Sequence, residues 1–459
     1  MSNGTIKIDG ARFLLTLDTE RRIIQDASIL IEGQRITRVG KASELRGVAA
    51  DRVIDATDMV VTPGLINAHL HISYASATSG MFPDSMDPGE YLADTFRMSL
   101  AMTEEEEYYT SLLGITEVLK YGTTCFLDPG TTRFLDACMK AYEESGCRIV
   151  LGTHVMDRPG ASDFTINTPA EARALTEEVI RKYDGALDGR VRAWAMALDA
   201  DHSSRELLIA IKEVADSHNT GLTLHCVNGP GSVQYHLDKF GKRPIEYLEE
   251  IGVLGPNMLL AHVIGLNDAE VDCVARTGTK LVMCPPAATK MGAGTTIHGK
   301  LPEMLDKGIC VGLGNDSGNH GSVDTLRAIY LAAILYKDGR QNVAAVPAEA
   351  ALEMATIQGA RALGLDADIG SIEVGKKADL TLFDTRRPEW RTLLNPVNSL
   401  VYNADGRSVD TVIVDGKVVI ENHQPVFVNE WELIQRVRGI GEDLAARVGI
   451  SHPTSWPIV

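Results

Sequence analysis

Between about residue 62 and residue 364, short apolar runs alternate with helical stretches, and this alternation constrains the fold more than any other feature. After a first run within 60–71, others fall at 123–127, 148–153, 191–198, 221–225, 257–262, 280–284 and 309–313. Helical spacing fills 103–120, 169–182, 204–217, 268–277 and 301–307. Strand and helix in repetition imply parallel strands joined by helical crossovers. With about eight such units, a closed (β/α)8 TIM-like barrel is expected rather than an open sheet.

The two ends have a different texture. Short alternating strands are expected at 5–8, 11–17, 26–31, 35–39 and 53–55, and again at 378–383, 409–414 and 417–421. The last two are joined by Asp415-Gly416, a hairpin dipeptide that tolerates positive φ. A chain of 459 residues exceeds one usual core, so two domains are expected. The reading is a small β-sandwich domain formed by both chain ends (1–61 and 365–429), a barrel at 62–364, and a C-terminal helix and tail at 430–459.

A net charge of -18 argues against nucleic acid or an anionic membrane surface as a partner, since phosphates need clustered Lys and Arg. Seven cysteines without CxxC spacing suit reduced thiols in a cytoplasmic protein. Residues 1–10 lack a basic segment followed by an apolar core, and no apolar run reaches the ~18 residues that span a bilayer, so neither export nor membrane insertion is expected. Thr103 and Glu106 form a capping-box pattern, and the acidic run 104–107 reads as a solvated first helical turn. Residues 290–299 are rich in Gly and Thr, but their spacing matches no dinucleotide-binding pattern.

The chemistry is concentrated at strand ends. His69 and His71 close an apolar run, and on a strand residues i and i+2 share a face, so both imidazoles can meet one metal ion. His225, His262 and Asp316 each close a later run. In a β/α barrel all strands open their C-terminal ends onto one face, where these five residues would gather. Several N/O donors with an open position describe a catalytic metal site.

With these residues in hand, the chain resembles the amidohydrolase superfamily. The likeness rests on PGLINAHLH at 63–71, YGTTCFLDPG at 121–130, LLAHVIGL at 259–266, GLGNDSG at 312–318 and GSIEVGKKADLTLFD at 370–384. Order and spacing look most like the branch of triazine hydrolases and S-adenosylhomocysteine deaminases, and HISYASATSGMFPD with GTTCFLDPGTT is similar to phenylurea and molinate (thiocarbamate) hydrolases. The resemblance implies metal ligands His69, His71, His225 and Asp316, with His262 beside the water or the substrate carbonyl. It implies one divalent metal ion, with Zn first and Fe, Co or Mn as alternatives. Binuclear relatives carry a carboxylated Lys on the fourth strand, which is assigned to 147–157 and holds no Lys. The branch also implies a homodimer or higher homo-oligomer acting on a small molecule.

One position departs from the deaminase pattern. Where those relatives carry Glu three residues after the fifth-strand His, this chain has Asn228, and Asn carries no transferable proton at neutral pH. The leading expectation is therefore hydrolysis of a carbon–nitrogen bond in a small amide, urea or (thio)carbamate, a herbicide-like phenylurea or thiocarbamate among them. Asp316 and His262 would be the catalytic residues. The alternative is an aminohydrolase, deaminating or dechlorinating a nitrogen heterocycle; a noncatalytic homologue would not need all five site residues. Candidate substrate contacts are Asn228, Tyr74, Phe82, His154, His202 and His320, with the long stretch 73–97 read as a loop over the barrel mouth.

Overall fold

Eight parallel strands close into a barrel through the middle of the chain. The computed structural model describes residues 4–160, 164–452, 454 and 456. In chain order the barrel strands are Leu65–Asn67 with Leu70–His71, Thr123–Leu127, Arg148–Leu151 with His154–Val155, Val191–Ala193 with Ala195–Asp199, Leu222–Cys226, Met258–His262, Lys280–Met283, and Val311–Leu313 with Asp316–Ser317. The ring closes where Asp316 lies opposite Leu70 and Ser317 opposite His71. This order corrects the number given to one strand: residues 147–157 hold the third strand and not the fourth, as the order of the apolar runs itself requires. The fourth strand spans 191–199, and it too has no Lys.

Inward-facing Ile66, Cys125, Val150, Met196, Leu259 and Val282 are fully buried and pack together, so the barrel is a filled core and not a pore. A larger apolar cluster lies between strands and helices. Ligand-bearing side chains are thereby held at the rim on strands that cannot shift without disturbing a close-packed interior.

Strands from both ends of the chain share one nine-stranded sheet. Thr5–Leu15 pairs antiparallel with Ile23–Glu32, and on its other edge pairs in parallel with Arg52–Asp55 and then Met59–Pro63. The sandwich expected from sequence is thus hydrogen-bonded as a single branched sheet, because this 11-residue strand changes partner across the irregularity between Ile8 and Ala11. Met59–Pro63 pairs antiparallel with Leu380–Asp384, tying the first part of the chain to the last just before the first barrel strand.

A buried ion cluster also joins sheet and barrel. Arg148, at the start of the third barrel strand, donates to Asp379 at 2.9 and 3.0 Å and to Asp415 at 3.3 Å. All three side chains are almost fully buried. Arg148→Ala leaves Asp379 without its cation in a low-dielectric site, while Asp415 keeps Lys377 at 3.0 Å, so it should cost about 3–5 kcal/mol. A denaturant midpoint unchanged from the parent would show that the cluster contributes nothing.

Two local expectations are corrected. Residues 73–97 are not one loop: Ala75–Thr78 and Pro88–Ala101 are helical, the latter started by Asp87, whose carboxylate accepts from the Gly89 and Glu90 amides, and by Pro88 at the first turn. The capping box of Glu104–Lys120 forms, but Glu107 is fully buried, not solvated. Its carboxylate accepts from the Arg133 and Phe134 amides, at the start of helix Leu135–Ser145, and burial pushes its pKa up. All seven cysteines are free thiols, and no helix among the described residues is long and apolar enough to cross a membrane.

Candidate metal centre

Five side chains converge at the C-terminal rim of the barrel. His71 Nε2 lies 3.2 Å from His225 Nε2 and 3.2 Å from Asp316 Oδ1. His69 Nε2 is 3.6 Å from Asp316 Oδ1, and His262 Nε2 is 3.9 Å from Asp316 Oδ2. One donor atom each from His69, His225, His262 and Asp316 fall within 4.8 Å of one another. That tight set leaves out His71, yet its Nε2 touches two of the four, so we treat all five as one cluster.

The hydrogen bonds behind the rings decide where their lone pairs point. His225 Nδ1 faces the Leu198 carbonyl, an acceptor only, so Nδ1 carries the proton and Nε2 is bare. His71 Nδ1 lies 3.1 Å from Thr131 Oγ1, whose own hydroxyl proton goes to Asp128 Oδ1 at 3.2 Å. Its Nε2 is therefore bare as well. Two bare nitrogens 3.2 Å apart repel unless a cation sits between them. His69 is completely buried with neither ring nitrogen hydrogen-bonded, another donor lacking its partner.

Charge follows the same logic. Burial holds His69 and His225 down to about 3 and His262 to about 4, so all three imidazoles are neutral ligands near pH 7. Burial alone would raise Asp316, but the His69 and His71 rings closing on its carboxylate, with His262 and His320 adding to them, outweigh it and keep the carboxyl well below the usual range. Neutral imidazoles around one carboxylate fit a divalent metal, which the residues of this cluster are placed to hold. The backbone is strained at this rim: His262 (φ 74°) and Asp316 (φ 63°) are both left-handed without being glycine.

The metal cluster opens into a cavity of about 630 Å³. Asn228, His202 and His320 line it beside His262 and Asp316. His320 Nε2 lies 3.9 Å from Asp316 Oδ2, while its Nδ1 faces the Tyr91 hydroxyl at 3.2 Å. The other three expected contacts are not on the wall. Tyr74 is buried beside the His71 ring, Phe82 packs edge-on to Tyr91 at 5.0 Å, and His154 is buried edge-on to Phe164 at 4.6 Å. Aromatic area was better used behind the site than in it. From 73–97 only Pro88 and Leu92 reach the cavity.

Sequence reasoning assigned no role to Asp128 or Thr131, which orient His71, although both stand in or beside the quoted second-strand motif. Asp128 also accepts from the Gly130 and Thr131 amides and from Thr132 Oγ1, so the loop is built around that carboxylate. Ser232 was likewise not placed in the site, whereas Asp201, with Asp199 beside His202, is readable from sequence as a residue to orient a ligand or supply a proton; Asp201 and Ser232 both line the cavity and hydrogen-bond to each other at 3.0 Å.

A barrel with imidazoles and a carboxylate converging at its C-terminal rim is the architecture of a metal-dependent hydrolase. Residues 60–419 match the model of the Amidohydrolase family, and the chain belongs to that family. It is 32% identical over 447 residues to a 5'-deoxyadenosine deaminase of Methanobrevibacter smithii, covering 97% of this chain and 99% of the relative. It is 32% identical over 436 residues to a 5-methylthioadenosine/S-adenosylhomocysteine deaminase of Thermoanaerobacter pseudethanolicus, covering 95% and 98%. An adenosine deaminase from Xanthomonas campestris, crystallised with bound zinc, shares the fold with a TM-score of 0.88 at 23% identity, over 96% of this chain and 98% of that one. The chain is thus a metal-dependent hydrolase of carbon–nitrogen bonds.

Proposed function

We propose that the protein hydrolyses the carbon–nitrogen bond of a small neutral amide, urea or (thio)carbamate with a substantial apolar part. The observation that carries this reading is Asn228 on the cavity wall, at the position where the deaminase resemblance calls for a proton-carrying Glu. Attack on an aromatic ring carbon requires a proton on the ring nitrogen, and an amide side chain cannot deliver one. An acyl carbon needs no such proton. The remaining lining agrees: Leu92, Ile264, Ala287, Ala288, Met291 and Ala293 are apolar, and no Lys or Arg lines the cavity among the described residues. A carboxylate or phosphate group on the substrate would find no permanent cation there.

A divalent ion, if held by His69, His71, His225 and Asp316, would supply Lewis acidity and lower the pKa of a water molecule toward neutrality. The two oxygens of Asp316 have different work. Oδ1 faces His69 and His71, whereas Oδ2 faces His262 and His320 on the cavity side. Oδ2 therefore takes the proton of the attacking water and returns it to the departing nitrogen, base first and acid second. His262, neutral and on the cavity wall, donates a hydrogen bond to the carbonyl oxygen as charge develops there.

A second reading, deamination of a nitrogen heterocycle, is favoured by the relatives, since both at 32% identity are named as deaminases of adenosine-type compounds. Those names weigh more toward this alternative than toward acyl cleavage; Asn228 weighs the other way. Product analysis separates the two. Purified protein supplied with N-aryl ureas, N-alkyl thiocarbamates, 5'-deoxyadenosine and 5-methylthioadenosine should release the free amine from the acyl compounds. Ammonia from the nucleosides, with the ureas untouched, would overturn the proposal and establish the second reading.

A further inference from the structure

The cavity wall carries a histidine, His202, that is held more firmly than a surface residue needs to be. His202 Nδ1 lies 2.9 and 2.7 Å from the two oxygens of Asp199, the last residue of the fourth barrel strand. Its amide donates to Asp199 Oδ1 at 2.6 Å, and its carbonyl accepts from the Asp157 and Arg158 amides at 3.3 and 3.1 Å. Gly160 closes over the ring: a Cβ there would lie 3.0 Å from Cδ2 and Nε2. The ring is thus fixed in place and in tautomer, with Nδ1 committed to Asp199. Whatever His202 offers the cavity it offers through Nε2.

The neighbours on this wall make that offer specific. Ser232 Oγ is engaged by Asp201 at 3.0 and 3.2 Å, and Asp201 Oδ1 also lies 2.8 Å from the buried His236. Both are occupied by protein partners. We propose that His202, positioned by Asp199, is a specificity residue whose Nε2–H binds a hydrogen-bond acceptor on the substrate other than the scissile carbonyl. The inference rests on the acyl-cleavage reading and extends it, since it divides the substrate into an apolar part against Ala287, Ala288 and Met291 and an acceptor-bearing part against His202.

A protonated ring is needed for this, because with Nδ1–H given to Asp199 the neutral ring presents only a lone pair at Nε2. The surroundings favour the proton. The Asp199 hydrogen bond raises the His202 pKa against the opposing effect of burial; Asp201 also raises it and Lys239 lowers it. Asp157 and Arg158 lie on the loop packed over residue 202, where their amides donate to its carbonyl. Acceptor binding should therefore be strongest below the raised pKa and weaken as pH rises through it.

The test compares two N-aryl ureas differing only by methoxy or methyl at the far end of the ring. The parent enzyme should show a KM about tenfold lower for the methoxy compound at pH 6, as one hydrogen bond to a charged group allows. That preference should fade toward pH 9. His202→Leu should lose the preference at every pH with kcat within about threefold. His202→Gln, which keeps a donor without a titrating proton, should retain part of it with no pH dependence. A preference that survives in His202→Leu, or a large kcat loss with KM unchanged, would overturn the assignment while leaving acyl cleavage standing. Absence of turnover for both ureas, and of binding to the Asp316→Asn protein by calorimetry, would instead overturn the acyl reading, and this inference with it.

Discussion

Asp316→Asn should abolish turnover, by at least about a thousandfold, in a protein that still folds and still binds much of its metal. The magnitude follows from two losses at one atom. Oδ2 faces the cavity and is the group available to take the water proton and return it to nitrogen, and the amide that replaces it can do neither. Oδ1 on the opposite side survives as a neutral carbonyl oxygen, so contact with His69 and His71 is weakened but not erased. Size is unchanged, so the left-handed backbone at 316 and its pairing with Leu70 should persist. The check is kcat beside metal content and circular dichroism on the same preparation. Activity within tenfold of the parent would remove Asp316 from the proton path, and loss of both metal and fold would show a structural role only.

The rim was legible because its residues terminate strands. His69, His71, His225, His262 and Asp316 each close an apolar run, and closure of a parallel barrel brings such ends together whatever their separation in sequence. What could not be read was set by contacts with no sequence period. Glu107 belongs to an acidic run that looks solvated, yet the amides of Arg133 and Phe134 arrive from another helix and bury it. The aromatic residues of 73–97 looked like a substrate wall. In the fold Asp87 and Pro88 start a helix that turns Pro88 and Leu92 to the cavity and packs Tyr91 on Phe82. Three helices stand where a loop and one helix were expected, and the stretch from 73 to 120 contributes no strand. His202 was visible as a candidate with Asp199 three residues before it, but the approach of Gly160 to its ring needs the third and fourth strands placed side by side.

His69→Ala should cost the protein its metal and with it essentially all activity, and chelation of the parent should do the same reversibly. His69 offers a buried ring with no other hydrogen-bonding partner, so its free energy in the fold depends on the ion more than that of any neighbour. Because the ion binds the folded state alone, saturation at about a thousand times Kd should stabilise the parent by about 4 kcal/mol, read as a shift in Tm on chelation. The same ligands set a pH dependence in the metal-free protein. Folded His69 and His225 sit at about 3 and His262 at about 4, against 6.5 for an ordinary imidazole. Across that interval the unfolded chain binds more protons than the folded one, so stability present above pH 6.5 is lost as pH falls toward the folded values. Protons and metal compete for the same bare nitrogens, and metal affinity should fall over the same range. One ion per chain is expected, since the fourth strand lacks the Lys that binuclear relatives carry; elemental analysis returning two would overturn that count. Activity that survives both exhaustive chelation and His69→Ala would separate catalysis from this cluster altogether.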